Sequence, residues 1–316
     1  MRALVLTAGL GTRLQPLTLA RAKAAAPVDG EPLARRTIRW LVSHGIRDLV
    51  LNLHHRPESI TAAVGDGSDL GARVRYSWEM PVLGSAGGPR HALPLLLDDR
   101  SPSRTFVLVN GDTLTDVDLP AMIQRHQESG ALVSMALIPN PRPDKYGGVM
   151  LDDRQVITGF TKRRTTGTPP AEESFHFIGP QIVDATVFAG LPDGVPAESV
   201  MEVYPALMRA RPGAVRGFVG DWTFRDIGTP SDLLETSLAL AAADGRPDRP
   251  RWGRNVRIHP SAHVVRSVLW DDVTIGANAE VADCVIADGV TIPAGAKYAH
   301  SAIVVGDGGH SIVAPF

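Results

Sequence analysis

The first thirty residues constrain the fold of this chain most strongly. A short apolar run, Ala3 to Leu6, leads directly into Thr7-Ala8-Gly9-Leu10-Gly11-Thr12-Arg13. This pattern predicts a buried strand that enters a tight turn. Glycines in such a turn let the backbone approach a ligand closely, and successive N–H groups can form an anion-binding concavity. Arg13 adds a guanidinium that suits phosphate oxygens, and Lys23 follows ten residues later, so the segment predicts a phosphate site.

Apolar runs of strand and helix type alternate through the next two hundred residues. We expect helices from Pro32 to His44, Pro57 to Val64, Pro89 to Leu97, Leu119 to Glu128 and Pro230 to Ala243. We expect strands from Asp48 to Leu53, Arg73 to Trp78, Thr105 to Val109 and Ala131 to Ile138, followed by partly antiparallel strands. This alternation predicts an α/β fold with a Rossmann-like, mostly parallel sheet and helices on both faces. Ligands of such sheets bind beyond the carboxyl ends of the strands.

The C-terminal sixty residues have a different pattern. After a Pro- and Arg-rich stretch, valine and isoleucine recur with a period of about six between Gly, Pro, Asn and Asp, as in Val273-Thr-Ile-Gly-Ala-Asn-Ala-Glu-Val281. That period is typical of a short left-handed parallel β-helix. We therefore predict three regions: residues 1–245 as the α/β domain, 246–254 as a linker and 255–316 as the β-helix, which we expect to mediate homo-oligomer contacts.

Composition excludes several classes of protein. A net charge of −2 gives no reason to expect a nucleic-acid or anionic-membrane partner. A single cysteine, Cys284, excludes an internal disulfide, and we expect it to be a packing residue of the β-helix. The N-terminal apolar run is too short for a signal peptide and no later run is long enough to span a bilayer, so we expect a cytoplasmic location.

The glycine-rich motif also carries a resemblance. Gly9-Leu10-Gly11-Thr12-Arg13-Leu14-Gln15-Pro16-Leu17-Thr18, then Lys23 and the stretch from Pro27 to Leu33, resembles the signature loop of sugar-1-phosphate nucleotidyltransferases. The resemblance implies that this loop wraps a nucleoside triphosphate, that Arg13 holds its phosphates and that Lys23 lies over the reacting phosphates. Leu83-Gly84-Ser85-Ala86-Gly87-Gly88 resembles the segment that reads the nucleobase in that family. The implied nucleotide-binding residues are Ala8, Gly9, Gly11, Thr12, Arg13, Ser85, Gly87 and Gly88.

Two aspartates are candidates for binding a divalent cation. Asp112 follows the apolar strand in Asn110-Gly111-Asp112, where a carboxylate could hold Mg²⁺ or could simply belong to a turn. Asp226 precedes a glycine turn and a helix start. In the resembling family one aspartate from each of these motifs binds the catalytic Mg²⁺, which favours the metal interpretation. The implied catalytic residues are Arg13, Lys23, Asp112 and Asp226, with Asp112 and Asp226 as metal ligands.

The sugar-binding half resembles the family less closely. The resemblance implies sugar-phosphate contacts from Asn110, Gly148, Lys162, Arg163 and Gly179. Lys162 stands where the family usually has a glutamate that grips sugar hydroxyls, and Phe177 stands where it has an asparagine. Some segments look most like N-acetylmuramate-1-phosphate uridylyltransferase and heptose-1-phosphate guanylyltransferases. The C-terminal repeat looks more like mannose-1-phosphate guanylyltransferases, so the sequence leaves the sugar open.

These patterns favour an enzyme that joins an NTP to a sugar 1-phosphate and releases pyrophosphate, with UTP or GTP as the favoured donor and an N-acetylmuramate-like sugar, mannose or heptose as its 1-phosphate. The alternative is a catalytically silent NDP-sugar-binding regulatory subunit, which would be expected to lack one of Arg13, Lys23 and the two aspartates. A glycosyltransferase has no reason to carry the Gly-Leu-Gly-Thr-Arg loop. An acyltransferase needs a longer β-helix.

Overall fold

The computed structural model describes residues 1–97, 104–161, 174–306 and 308–316. The chain divides into two units, each built from three segments. Unit 1 contains Met1–Gly9, Thr37–His54 and Val64–Phe224. Unit 2 contains Leu10–Arg36, His55–Ala63 and Arg225–Phe316, so it combines most of the glycine-rich loop with the C-terminal region.

The described residues alternate between helices and strands up to residue 243. The helices are α1 (Leu33–Ser43), α2 (Pro57–Val64), α3 (Gly84–Leu96), α4 (Leu119–Ser129), α5 (Thr186–Ala189), α6 (Tyr204–Ala210) and α7 (Pro230–Ala243). The strands are β1 (Arg2–Leu6), β2 (Pro27–Val28), β3 (Glu31–Pro32), β4 (Asp48–Leu53), β5 (Arg73–Trp78), β6 (Thr105–Asn110), β7 (Thr113–Thr115), β8 (Val133–Pro139), β9 (Gly148–Leu151), β10 (Ile157–Thr161), β11 (Phe175–Asp184), β12 (Val215–Val219) and β13 (Phe224–Asp226).

Unit 1 is built on a nine-stranded mixed sheet. Seven strands run in the order β10-β9-β11-β6-β1-β4-β5, and β8 pairs with β11 and with β12. The pairs around β1 are parallel, as are β4 with β5 and β8 with β12, whereas β11 runs antiparallel to β6 and β8. The predicted α/β fold with a mostly parallel sheet is therefore confirmed, and among the described residues each antiparallel strand pair of this sheet includes β9 or β11.

Both faces of the central strands are covered. Successive residues of a strand point to opposite faces. In β1, Leu4 joins an apolar core that includes Ala86 of α3 and Phe106 of β6. Ala3 and Val5, on the other face, are also fully buried. Parallel strands that are buried on both faces consist of continuous apolar runs, which explains why the sequence pattern predicted them.

Helix α3 begins earlier than its sequence predicts. Proline favours a helix start, and the pattern therefore placed the start at Pro89 with Gly84 to Gly88 as a loop. This placement is wrong, because the helix begins at Gly84 and contains Pro89. Its first turn is satisfied by tertiary partners: the N–H groups of Ala86 and Gly87 both donate to the carbonyl of Ala197. Such acceptors, more than one hundred residues away in sequence, cannot be seen in a local pattern.

The C-terminal part of unit 2 is a parallel β-helix. Its strands are β14 (Arg257–Ile258), β15 (His263–Val265), β16 (Val268–Leu269), β17 (Thr274–Ile275), β18 (Glu280–Ala282), β19 (Val285–Ile286), β20 (Thr291–Ile292), β21 (Lys297–Ala299), β22 (Ser301–Val305) and β23 (Ser311–Pro315). They form three sheets, in the orders β14-β17-β20, β15-β18-β21 and β16-β19-β22-β23.

Each coil of the β-helix contains about three of the six-residue repeats seen in the sequence. His263 pairs with Glu280 and Glu280 with Lys297, so equivalent positions lie 17 residues apart. Apolar residues such as Ile275, Val281 and Ile292 fill the interior, while β23 pairs antiparallel with β22. No helix among the described residues is long and apolar enough to cross a membrane.

We expect the thiol of Cys284 to be inert in the native protein. Its side chain is fully buried in the core of the β-helix, and burial is the main cause that raises the pKa of this thiol. Thiolate formation and reagent access are both suppressed in such a site, so modification by an aromatic disulfide at pH 8 should be at least ~100-fold slower than in denaturant. Spectrophotometric thiol titration measures this ratio, and equal rates in the two conditions would contradict the burial of Cys284.

Candidate active site

A buried polar network in unit 1 fixes the beginning of the glycine-rich loop. The amide oxygen of Asn52, at the end of β4, accepts hydrogen bonds from the N–H groups of Thr7 at 2.6 Å and Ala8 at 3.3 Å. Its amide nitrogen donates to Oε1 of Glu79 at 2.7 Å, and Oε2 of Glu79 accepts from the N–H of Leu83 at 2.9 Å. Asn52 and Glu79 are 2% and 4% exposed. Two buried side chains therefore join the end of β1 to the start of α3.

The glycines at the start of α3 fit tightly around this network. A Cβ at Gly88 would lie 2.6 Å from Oε1 of Glu79 and 3.0 Å from the amide nitrogen of Asn52. A Cβ at Gly87 would lie 2.5 Å from the carbonyl oxygen of Val195. All three distances are shorter than normal contacts with a Cβ atom, so the packing of unit 1 itself requires glycine at positions 87 and 88. A role in contacting the nucleobase remains a prediction.

Ser85 is hydrogen-bonded within the protein. Its hydroxyl donates to Oε2 of Glu198 at 2.6 Å and accepts from the N–H of Ser199 at 2.8 Å. These contacts connect the second residue of α3 to the segment that leads into α6. If Ser85 contributes to nucleotide binding, its backbone is therefore the group best placed to do so.

Asp112 lies at the carboxyl end of β6, as predicted. The N–H of Gly111 donates to the carbonyl of Leu6 at 3.0 Å, and a Cβ at Gly111 would lie only 2.7 Å from that oxygen. The turn therefore needs glycine at this position, and the half-buried Asp112 follows it at the edge of the sheet. This is the edge at which an α/β sheet binds its ligands.

Asn110 and Gly179 are brought together across β6 and β11. Gly179 has φ +114, a conformation that glycine adopts readily, and a Cβ there would lie 2.7 Å from the hydroxyl of Thr113 and 3.5 Å from Cβ of Asn110. Thr113 is 8% exposed, and its hydroxyl has no hydrogen-bond partner among the described residues. The two predicted sugar-phosphate residues therefore lie close to each other and to the buried hydroxyl of Thr113.

Of the remaining predicted sugar contacts, one is already hydrogen-bonded within the protein and two lie outside the described residues. The N–H of Gly148 donates to the hydroxyl of Thr161 at 3.1 Å, so a sugar hydroxyl would have to compete with that bond. Lys162 and Arg163 lie outside the described residues.

Three aromatic rings of unit 1 pack together. Tyr146 stacks on His176 with ring centroids 4.2 Å apart, and Phe224 packs edge-on against both rings. Burial lowers the pKa of His176 to about 4, so the imidazole is neutral at pH 7.

In unit 2 the glycine-rich loop closes on itself. Gly11 has φ +62, and a Cβ there would lie 2.9 Å from Cγ2 of Thr18 and 3.2 Å from Cβ of Lys23. The hydroxyl of Thr18 donates to the carbonyl of Gly11 at 3.4 Å, and a ring nitrogen of His55 bonds the carbonyl of Thr18 at 3.1 Å. A side chain at position 11 would therefore crowd both Thr18 and the Cβ of Lys23.

Asp226 and Arg13 lie beside each other around Gly228. Nη1 of Arg13 is 3.9 Å from Oδ2 of Asp226, whose side chain is 10% exposed. A Cβ at Gly228 would lie 3.0–3.1 Å from Arg13, Asp226 and Asp232, so the glycine leaves open the space between these charged groups. Asp232 also accepts from the N–H of Gly228 and forms a capping box with Thr229 at the start of α7. The cap thus fixes the turn that carries Asp226.

The donor chemistry fits a magnesium ion. Mg²⁺ is bound in proteins by oxygen ligands, commonly one or two carboxylates completed by substrate phosphates and water. In unit 1 the carboxylate of Asp112 lies at the edge of the sheet, and in unit 2 that of Asp226 lies beside the space that Gly228 leaves free of side chain. That both carboxylates bind one ion remains a prediction. Among the described residues, no group of three or more His, Cys, Asp or Glu side chains is placed to hold a metal ion.

Sequence reasoning missed three side chains that support these residues. Glu79 and Asn52 were not predicted as site residues, because their roles depend on contacts between separate strands. Asp232 could have been found, since Thr229-Pro230-Ser231-Asp232 matches the pattern of a capping box at a helix start. Asp118, by contrast, caps α4 as an N-terminal acid often does, accepting from the N–H of Ala121 at 3.0 Å.

Comparison with known proteins defines the class. Residues 2–243 match the Nucleotidyl transferase family, and residues 250–301 match the GlmU-like C-terminal hexapeptide family. This chain therefore belongs to the nucleotidyl transferase family and carries a hexapeptide repeat of the left-handed β-helix type. Both predictions from the glycine-rich loop and from the C-terminal period are confirmed at this level. The predicted boundaries at residues 245 and 254 remain predictions.

Among curated proteins, the chain is similar to a mannose-1-phosphate guanylyltransferase of Mycobacterium tuberculosis, with 31% identity over 238 residues that cover 75% of this chain. It is also similar to a UTP–glucose-1-phosphate uridylyltransferase of Synechocystis, with 29% identity over 66% of this chain. The alignments span 64% and 55% of the lengths of those two relatives.

A solved structure supports the fold. A putative glucose-1-phosphate thymidylyltransferase from Bacillus anthracis, crystallised in complex with a sucrose, superposes with a TM-score of 0.65 at 18% identity. The match covers 76% of this chain and 95% of that one. The α/β architecture is therefore shared with a solved nucleotidyltransferase-type structure.

Gly9 and Gly88 provide a matched test of the nucleotide site. A Cβ at Gly9 would meet nothing within 4 Å, whereas a Cβ at Gly88 would clash with Glu79 and Asn52. We expect Gly9→Ala to leave the thermal midpoint within about 2 °C but to weaken NTP binding about tenfold, because the new methyl occupies ligand space. Gly88→Ala should lower the midpoint by several degrees.

Calorimetric titration of NTP and thermal unfolding measure the two effects separately. Normal NTP affinity in a folded Gly9→Ala variant would remove Gly9 from the nucleotide site.

Proposed function

We propose that this protein transfers a nucleoside monophosphate from an NTP to a sugar 1-phosphate, giving an NDP-sugar and pyrophosphate. The observation that carries the proposal is the family match over residues 2–243 together with the presence of Arg13, Lys23, Asp112 and Asp226 at the positions of the family motifs. Both similar curated proteins act on a sugar 1-phosphate and a nucleotide by their names. Nothing found supports a silent regulatory subunit, which would be expected to have lost one of these four groups.

The reaction needs little proton chemistry from the protein. An oxygen of the sugar phosphate attacks the α-phosphorus of the NTP, a new P–O bond forms, and the bond from the α-phosphorus to the bridging oxygen breaks to release pyrophosphate. The attacking phosphate monoester has a second pKa near ~6 and is mostly dianionic at neutral pH. Since no general base is required, the protein must position two anions and compensate their charge.

Each candidate residue has a defined task in this proposal. Arg13 steadies the leaving pyrophosphate, and Lys23 brings the two anionic reactants together. Asp112 and Asp226 would hold Mg²⁺, and the chemistry that this ion supplies when bound is neutralisation of phosphate charge. The side chain of Arg13 is 62% exposed and lies 3.9 Å from the carboxylate of Asp226, so its guanidinium is accessible to a phosphate group.

GTP and mannose 1-phosphate are the first substrates to test. The relative with the higher identity is a mannose-1-phosphate guanylyltransferase, whereas the second relative uses UTP and glucose 1-phosphate by name. In this chain Phe177 packs against the core of unit 1 at the place where the family usually has an asparagine. The sugar site therefore lacks one amide, and sugar preference has to come from other groups. Assembly through the β-helix and a cytoplasmic location also remain proposals.

A substrate panel tests the proposed reaction directly. We expect Mg²⁺-dependent pyrophosphate release with one NTP and one sugar 1-phosphate, from a panel of five nucleotides (ATP, GTP, CTP, UTP and dTTP) and the 1-phosphates of mannose, glucose, N-acetylglucosamine, N-acetylmuramate and heptose. A coupled phosphate assay measures the rate, and light scattering of the same sample gives the oligomeric state. Tight NDP-sugar binding with no turnover across the whole panel would instead favour the regulatory subunit.

Asp112→Asn tests the carboxylate pair against a matched control. We expect kcat to fall by about 10²–10³ with an unchanged thermal midpoint, because the amide removes a negative metal ligand while keeping the shape. Asp118→Asn makes the same chemical change six residues away and should keep normal turnover, since asparagine also caps helices. Near-normal kcat in Asp112→Asn, or turnover that persists in excess EDTA, would overturn the metal assignment.

A further inference from the structure

Arg21 belongs to the segment Leu10–Arg36 of unit 2, which we call the glycine-rich segment. It is bound by two carboxylates of the β-helix. Its Nε and Nη2 donate to the two oxygens of Asp288, both at 2.6 Å, and Nη2 also donates to Asp271 at 2.8 Å. The guanidinium lies 5.6 Å from the ring centroid of the fully buried Trp270. All four residues belong to unit 2. A bidentate pair fixes both the direction and the position of the arginine.

The two carboxylates occupy equivalent positions on successive coils. They are 17 residues apart, the same spacing as the paired strands Val268–Leu269 and Val285–Ile286. Stacked coils lie about 4.8 Å apart, so two adjacent aspartates repel each other unless cations compensate them. Arg21 lies against both, and Arg254 pairs with Asp271 at 2.9 Å. Burial acts to raise the pKa of Asp271, but its hydrogen bonds with Arg254 and Arg21 outweigh this and lower it.

Arg21 is shielded from solvent. Its side chain is 19% exposed, and those of Asp271 and Asp288 are 13% and 30% exposed, whereas the side chain of Arg266 on the β-helix is 46% exposed. Surface pairs contribute little because water screens them, but a shielded pair that loses one partner leaves an uncompensated charge. The contact of Arg21 is therefore expected to be maintained for most of the time.

The other end of the same segment is held in a similar way. Asp29 is 1% exposed and accepts from Arg246 at 2.8 Å and from the N–H of Arg251 at 2.6 Å, both in the stretch before the β-helix. The N–H of Asp29 donates to Ser237 of α7 at 3.1 Å. Between these two anchors lie Lys23 and the turn Lys23–Ala25. Strand β22 also packs against the turn Leu17–Leu19, just before Arg21.

We propose that Arg21 is a positioning residue for Lys23, through which the β-helix takes part in the transfer reaction. The inference rests on the proposed function only for the role of Lys23. Arg21 is separated from Lys23 by one residue, so the ion pairs with Asp271 and Asp288 set where the lysine leaves the loop. In this view the β-helix is part of the active-site scaffold, in addition to any role in assembly.

The alternative is that Arg21 only stabilises the β-helix by compensating two aspartates. Both roles predict a lower thermal midpoint when Arg21 is replaced. They differ in what happens to Lys23: a positioning role requires the loop to change while the β-helix stays folded, and it requires the defect in turnover to depend on Lys23.

The first experiment measures kcat and KM of the full chain with the best substrate pair. We expect Arg21→Gln to lower kcat about tenfold with KM for the NTP changed less than about twofold, because the lysine acts mainly on the reacting phosphates. Asp288→Asn should give the same defect, and the double variant should be no worse than either single one. Arg21→Lys should recover part of the loss. In a Lys23→Ala background, Arg21→Gln should change kcat less than about twofold.

Arg266→Gln is the matched control on the β-helix. Arg266 is also paired with two aspartates, Asp283 and Asp248, both at 2.8 Å, and neither of these partners belongs to the glycine-rich segment. We expect its kcat to stay within about twofold of the wild type. An equal loss of kcat in both arginine variants, or an undiminished effect of Arg21→Gln without Lys23, would assign Arg21 to β-helix stability alone.

A second measurement does not depend on turnover. In hydrogen–deuterium exchange of the full chain, Arg21→Gln should accelerate exchange of amides in residues 17–25 about tenfold while strands β17–β19 stay protected, and Arg266→Gln should leave residues 17–25 unchanged. Unchanged exchange in Arg21→Gln would overturn the positioning role. If the wild type were inactive on the whole substrate panel, the proposed function would fail, and exchange would still decide whether Arg21 holds the segment.

Discussion

A buried carboxylate cannot be left unpaired, and Glu79 is the one on which the architecture of unit 1 depends. Leaving a buried polar group of this kind without hydrogen-bond partners costs about 1–3 kcal/mol, and more when the group is charged. Glu79 meets this demand with the amide of Asn52 and the N–H of Leu83. These bonds in turn fix Asn52 so that it accepts from Thr7 and Ala8. Through these bonds one carboxyl group links the end of β1 to the residue before α3, and its position explains why Gly88 must have no side chain.

Unit 2 solves a related problem with arginines. Asp29 is as deeply buried as Glu79, yet its partners are Arg246 and Arg251, more than two hundred residues later in the chain. The hydrogen bond to Asp29 is the main cause that raises the pKa of Arg246, so this guanidinium stays charged throughout the physiological range. The glycine-rich segment, which carries Lys23, thus forms two ion pairs with the C-terminal region through Asp29. This agrees with its place in unit 2.

The sequence allowed the fold to be predicted where local patterns determine structure. Strand β4, helix α2, strand β5 and helix α7 have the bounds expected from hydrophobic runs and caps. The start of α3 was missed because its first turn is stabilised by the carbonyl of Ala197, not by a local signal. Site residues with motif positions, such as Arg13 and Asp112, could be proposed from the sequence. Arg21 could not, because its partner Asp288 lies 267 residues away and no local pattern links the two residues.

In the proposed reaction the glycine-rich segment has to hold Lys23 in a fixed direction next to two large anions. Ion pairs such as those of Arg21 suit this task because they are directional. An apolar anchor would give similar stability, but it would fix the direction of the backbone less sharply, because hydrophobic contact is not directional. A bidentate arginine–carboxylate pair sets an orientation. Its strength is also limited, since a shielded pair must repay the desolvation of both charges. The segment is therefore oriented by Asp271 and Asp288 in addition to being packed through the fully buried Ala22, Ala25 and Ala26.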